Sequence, residues 1–176
     1  IEDNEISGFT DAGIISTNEN TFIRRNHIHD NHISGITTSA DCMAEDNVIE
    51  NNEWYGISIA FDAHLTGNTI RGNGTGLDFW GGPHLGFANG NQIYDNVDLA
   101  VHAYAGDLDP PIDFDATMNW WGTTDPAAIA EMIWDCSDSD WAGVCFLFEP
   151  FCVTPDCDPT GVSRETTWGA IKWMHE

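Results

Sequence analysis

The triplet Asn-x-Ile occurs five times at nearly constant spacing, as Asn4-Glu5-Ile6, Asn26-His27-Ile28, Asn47-Val48-Ile49, Asn68-Thr69-Ile70 and Asn91-Gln92-Ile93, with intervals of 22, 21, 21 and 23 residues. Periodicity of this kind marks one supersecondary unit stacked on itself. Each copy carries further marks at fixed offsets. A second Asn follows five residues after the first in four copies (Asn31, Asn52, Asn73, Asn96). A small residue with an aliphatic one behind it arrives eight or nine residues on, as Gly13-Ile14, Gly35-Ile36, Gly56-Ile57, Gly76-Leu77 and Ala100-Val101.

Within a copy the pattern is that of strands. His27-Ile28-His29 and Ser58-Ile59-Ala60 alternate polar or small residues with apolar ones, and the runs are too short and too rich in Asn and Gly for stable helices. Residues recurring once per coil then lie over one another at the strand spacing of about 4.8 Å. Ile6, Ile28, Ile49, Ile70 and Ile93 form one inward column, and Ile14, Ile36, Ile57, Leu77 and Val101 another. Asn tolerates left-handed backbone and can hydrogen-bond up and down a stack, so the Asn columns are expected at the corners rather than in a catalytic site. Asn73-Gly74-Thr75 fits a glycosylation sequon, but a ladder Asn is a poor acceptor.

These repeats resemble the right-handed parallel β-helix superfamily, the pectin-lyase-like solenoids. That superfamily includes pectate lyases, polygalacturonases, alginate lyases and a copper-site accessory protein of nitrous oxide reductase. The segment Met118-Asn119-Trp120-Trp121-Gly122 is similar to the Asn-(Trp/Tyr)-Trp-Gly segment that often closes such domains. The resemblance implies an all-β solenoid of about five coils over residues 1–115, a C-terminal cap over 116–150 and a disulfide-linked tail over 151–176. It also implies a secreted, cell-surface or periplasmic protein that binds or degrades polysaccharide. Ile1 enters in the middle of a repeat, so a longer natural chain is expected.

A cap is physically required, because a terminal coil leaves strand edges and an apolar column facing water. Asp125 can cap a helix with Pro126 at its first position, and Ile129, Met132 and Ile133 then share one face. Trp120, Trp121, Trp134 and Trp141 are expected to pack into this core. Beyond a linker with Pro155, Pro159 and Gly161, the stretch Thr167–Met174 reads as a short amphipathic element.

Four of the five cysteines, Cys136, Cys145, Cys152 and Cys157, lie close together near the C-terminus. Without Cys-x-x-Cys spacing or a nearby His they point to disulfides and an oxidising compartment. Three pairings are open, of which Cys136–Cys145 with Cys152–Cys157 is the expectation. Cys42 is left as a small buried residue or free thiol.

The chain of 176 residues carries 29 acidic residues against five basic ones, a net charge of −24. Nucleic acid and anionic membranes are disfavoured as partners, and no transmembrane segment is expected. Such a surface suits cations, neutral glycans or high salt.

Chemistry is expected where coils align unusual outward residues. Aligning Ile57, Leu77 and Val101 places Ser58, Asp78 and His102 in one outward column and Ala60, Trp80 and Tyr104 in the next. Aromatic faces stack on sugar rings, an Asp can orient an imidazole, and His titrates near neutral pH. Asp78, His102 and Tyr104 are thus the candidate catalytic residues, with Ser58, Trp80 and Tyr104 lining the substrate. The bland alternative is a cross-strand pair beside an aromatic shelf that only stabilises the sheet. A glycoside hydrolase would pair Asp78 with a second carboxylate such as Asp62.

Two metal constellations stand beside this groove. Asp107, Asp109, Asp113 and Asp115 crowd one loop suited to calcium, without EF-hand spacing. His27 and His29 flank the inward Ile28 and face outward within reach of one copper or zinc ion, with Glu50 stacked beside His29. The competing reading is a polar ladder of His29, Glu50 and Arg71. Two rival functions follow: a non-catalytic adhesive module stabilised by calcium, and a periplasmic metal-handling protein.

Overall fold

The computed structural model describes residues 1–39, 41–60, 62–80, 86–104, 106, 110–139 and 142–157. The chain winds as a solenoid of three parallel sheets. The first contains Glu5–Ser7, His27–His29, Val48–Glu50, Thr69–Arg71 and Gln92–Tyr94. The second contains Ala12–Ser16, Ser34–Thr38, Tyr55–Ile59, Thr75–Trp80, Leu99–Tyr104 and Ile133–Trp134. The third contains Thr21–Arg24, Cys42–Glu45, Ala63–Thr66, Phe87–Asn89, Ile112–Asp115 and Val144–Leu147. Five strands in one sheet and six in each of the others correspond roughly to the five coils expected.

Registry follows the repeats. Ile6, Ile28, Ile49, Ile70 and Ile93 are successive strand partners, as are Ile14, Ile36, Ile57, Leu77, Val101 and Ile133. The third sheet supplies its own buried column of Ile23, Ala44, Leu65 and Ala88. Each fully buried Ile removes enough apolar surface from water to stabilise the fold by about 2–3 kcal/mol. Small residues ahead of the second column are dictated by space. A Cβ on Gly56 would stand 2.6 Å from the Gly76 carbonyl oxygen and 2.7 Å from Ile70 Cγ2.

The corners depart from expectation in an instructive way. The residues with left-handed backbone are not the ladder asparagines but their predecessors: Arg25, Asp46, Gly67, Gly90 and Met118 before one ladder, and Asp30, Asn51, Gly72 and Asp95 before the other. The predecessor makes the bend, which frees the Asn side chain to turn inward. There it is buried and takes up the amide of the coil beneath: Asn47 Oδ1 accepts from the Asn26 backbone N–H and side-chain amide, both at 3.0 Å. Asn73 is fully buried in the second ladder.

Past the repeats the strands continue. Asn119-Trp120-Trp121 makes a sixth turn: Trp120 bridges Gln92, and Asn119 Oδ1 accepts from the Asn91 N–H at 2.8 Å. Trp121, 1% exposed, occupies the level an isoleucine holds in earlier coils. The single helix among the described residues, Pro126–Glu131, is capped by Asp125, whose Oδ1 accepts from the Ala127 N–H at 3.0 Å. Ile129 is its buried residue. Ile133 was expected on the helix face but lies in the second sheet instead, level with Val101, because the helix ends at Glu131. Trp120 and Trp134 are half-buried, and Trp141 lies outside the described residues. At this end the core widens to a cluster of Phe79, Phe114 and Phe146, with ring centroids 4.8–5.1 Å apart.

Cys136–Cys145 and Cys152–Cys157 are the two disulfides, as expected, and Cys42 is a buried free thiol. No helix among the described residues is long and apolar enough to cross a membrane. The amphipathic stretch Thr167–Met174 lies outside the described residues.

Candidate functional site

The outward face of the second sheet brings its candidate residues together. Ser58, Asp78 and His102 are direct strand partners, and so are Trp80 and Tyr104. Asp78 is 6% exposed and uses both oxygens: Oδ1 lies 2.9 Å from His102 Nδ1, and Oδ2 accepts from the Ser58 hydroxyl at 3.3 Å. Ser58 in turn accepts the Trp80 indole N–H at 2.9 Å. The order Trp80, Ser58, Asp78, His102 is therefore a positioning chain. It is not a nucleophile relay, since the carboxylate rather than the imidazole separates serine from histidine. With Nδ1 held by Asp78, the Nε2 atom of His102 is the ring nitrogen left for an external group.

Aromatic surface surrounds this line. Trp80 is 43% and Tyr104 53% exposed, large values for side chains of this size. Trp134 follows His102 in register and stacks on it, with centroids 5.0 Å apart and planes at 28°. Tyr55 begins the strand that carries Ser58, and burial first and the negative charge of Asp78 second raise its hydroxyl pKa. Ser58 is buried, its hydroxyl engaged within the protein. Asp62 precedes the third-sheet strand Ala63–Thr66 and borders a hollow with Asp41 and His64, so it stands on a different sheet from Asp78.

The first sheet carries His27 and His29. Its outward columns are Glu5, His27, Val48, Thr69, Gln92 and Ser7, His29, Glu50, Arg71, Tyr94. Glu50 is level with His29, as expected, yet its Oε1 reaches diagonally to His27 Nε2 at 2.8 Å while Oε2 takes Arg71 at 2.7 Å. The His27 hydrogen bond foremost, with Arg71, outweighs partial burial and holds the Glu50 carboxyl below the usual range. His29 turns to Asp30, with Nδ1 2.7 Å from Oδ2. That contact first, helped by Glu5 and opposed by desolvation, raises the His29 pKa.

Of the acidic loop, Asp107 and Asp109 lie outside the described residues. Asp113 is exposed beside Cys145. Asp115 is tied into its own turn: Oδ1 accepts from the Thr117 N–H at 3.0 Å, the Thr117 hydroxyl at 2.7 Å and the Asn89 amide at 3.0 Å. Partial burial raises the Asp115 pKa, but these hydrogen bonds prevail and leave it lowered.

Four residues that matter here were not assigned to a site from the sequence: Tyr55, Glu5, Asp30 and Trp134, the last expected in the cap core but stacked on His102. Glu5 had a signal, since it fills the same slot of the Asn-x-Ile triplet as His27. Trp134 had a fainter one, in that Ile133-Trp134 follows the same inward–outward order as Val101-His102.

A parallel solenoid with one polar, aromatic-flanked outward face is the class defined by these features. The chain belongs to the right-handed β-helix family, whose model, described as the right handed beta helix region, matches residues 1–98. No curated protein and no solved structure matches the chain.

Proposed function

We propose that this protein binds neutral polysaccharide along the outward face of its second sheet. The observation that carries the reading is the chain from Trp80 through Ser58 and Asp78 to His102, which fixes an imidazole beside the neighbouring exposed aromatic faces of Trp80 and Tyr104. Aromatic rings offer apolar contact to sugar C–H faces, while His102 and Tyr104 offer hydrogen bonds to hydroxyls.

Charge favours neutral sugars over uronates. The described arginines sit on other surfaces and each faces carboxylates: Arg24 with Glu45, Arg25 with Glu2 and Asp3, Arg71 with Glu50. A polyanion would meet Asp78 and a net charge of −24 with no arginine from this sheet to receive it. Two disulfides fit a protein working outside the cytoplasm, where such polymers are found.

The test is a binding screen against neutral and anionic polysaccharides by affinity electrophoresis and calorimetry, with reducing-end release measured in parallel. Retardation by a neutral polymer that His102→Ala and Trp80→Ala both weaken supports the reading. No binding to any neutral polymer, or binding indifferent to both substitutions, removes it. Reducing-end release abolished by His102→Ala alone would extend binding to catalysis, with His102 as the proton-transfer group.

A further inference from the structure

The first sheet carries a second constellation, separate from the glycan face. Glu5, His27 and His29 each present a ligand atom, and these atoms lie within 4.8 Å of one another. They come from two adjacent coils: Glu5 is the strand partner of His27, and His29 is two residues further along the same face. The imidazole rings lie 4.3 Å apart between centroids.

We infer that Glu5, His27 and His29 form a binding site for a divalent transition ion of the zinc type. The first reason is geometric. His29 Nε2 and Glu5 Oε1 stand 3.4 Å apart, long for a charge-assisted hydrogen bond. Two ligands on one tetrahedral ion with bonds of about 2.0–2.1 Å stand about 3.3 Å apart, so the pair already has the separation of neighbouring ligands.

The second reason is the outer arrangement. Each imidazole has one nitrogen held by a carboxylate: His27 Nε2 by Glu50 at 2.8 Å, and His29 Nδ1 by Asp30 at 2.7 Å. In the neutral ring this places the proton on the carboxylate-bound nitrogen and the lone pair on the other, which in His29 is the Nε2 atom facing Glu5, the pattern in which metal-bound histidines are usually held. Glu50 is itself anchored by Arg71. Glu5 and His27 are exposed enough to swing inward onto an ion, while His29 is the most enclosed of the three.

Donor chemistry selects the ion. Two imidazoles and one carboxylate, without thiolate, suit zinc, copper(II) or nickel rather than calcium, which prefers six to eight oxygens. Three protein ligands leave a position for water or an external ligand.

The experiment is calorimetric titration of chelator-treated protein with zinc chloride, with and without excess calcium. One zinc per chain is expected, with affinity unchanged by calcium. His27→Ala and His29→Ala should each weaken zinc at least about tenfold, and Glu5→Gln should act in the same direction. Far-ultraviolet circular dichroism checks that each variant keeps the solenoid. His102→Ala serves as control and should bind zinc like the parent protein. Absence of zinc binding by the parent overturns the inference. So does affinity left intact in a folded His27→Ala, His29→Ala double variant, or an equal loss caused by His102→Ala.

Discussion

Asn91 gives two hydrogen bonds to the same oxygen of Asn119, from its backbone N–H at 2.8 Å and from its side-chain amide at 3.0 Å, across a sequence gap of 28 residues. The same pair of bonds joins Asn26 to Asn47, Asn47 to Asn68 and Asn68 to Asn91. One buried side chain per coil thus satisfies the coil beneath and donates to the one above, and a fault in one rung leaves partners unpaired on both sides.

Asn68→Ala therefore leaves the Asn47 backbone N–H without an acceptor, its side-chain amide with only the Ile23 carbonyl, and the Ala44 carbonyl without its 2.8 Å donor. Buried groups deprived of partners cost about 1–3 kcal/mol each, and relaxation recovers part of that, so a net loss on the order of 3 kcal/mol is expected. Chemical denaturation followed by circular dichroism measures it. A loss within about 0.5 kcal/mol, the range of ordinary surface substitutions, would show that the ladder is decoration on the apolar core.

The architecture was legible in the sequence because a solenoid repeats its inward residues in register, and Ile28, Ile49 and Ile70 needed only to be aligned. The alignment of Leu77 with Val101 carried Asp78 to His102 for the same reason. What escaped detection lay where the period broke. Asn119-Trp120-Trp121, legible as a closing segment, was not legible as one more Asn-x-apolar turn, because the interval lengthens and tryptophan replaces isoleucine where the core widens toward Phe79, Phe114 and Phe146. Trp134 is separated from the repeats by the helix Pro126–Glu131, so only the inward–outward order that Ile133-Trp134 shares with Val101-His102 pointed to its place beside His102. Side-chain direction was the other blind spot: backbone register set Glu50 beside His29, whereas its carboxylate settles on His27 because Arg71 holds its other oxygen.

Trp80 links the aromatic shelf to the positioning chain, so its removal should be felt twice. Trp80→Ala deletes an exposed stacking face and leaves the Ser58 hydroxyl without its donor. Trp80→Phe keeps most of the face and loses only the N–H. If stacking on the proposed polysaccharide ligand dominates, the alanine variant should lose about tenfold in affinity for it, about 1.4 kcal/mol, and the phenylalanine variant much less. Equal losses in calorimetry would assign the effect to the Ser58 contact instead.

Cys42 yields a pH dependence. It is 2% exposed, and burial pushes its thiol up to about 11 despite a hydrogen bond with Thr38. The folded pKa lies above the unfolded one, so folding favours the protonated thiol. This contribution is complete below the unfolded pKa and is lost as pH rises toward about 11. At pH 8 the native protein should react with a thiol reagent many times more slowly than the denatured protein, and Cys42→Ala should flatten the alkaline decline in stability. Rapid labelling of the native protein would show that the strand Cys42–Glu45 opens readily.

The Cys136–Cys145 disulfide closes a separation of nine residues and ties the chain just after Trp134 to Val144–Leu147, the last strand of the third sheet. Closing so short a loop stabilises by about 2.5 kcal/mol in the chain-entropy account. The strand is also held from within, since the Phe146 N–H donates to buried Asp135 at 2.8 Å and the Cys136 N–H donates to the Val144 carbonyl at 2.9 Å. In a stack whose coils contact only their neighbours, weakening the last coil should fray that end before the middle. Replacing both cysteines by serine is therefore expected to speed hydrogen exchange at residues 133–147 strongly while leaving residues 48–59 nearly unchanged. Uniform acceleration along the chain would mean that the solenoid unfolds as one unit and that the cap governs its global stability.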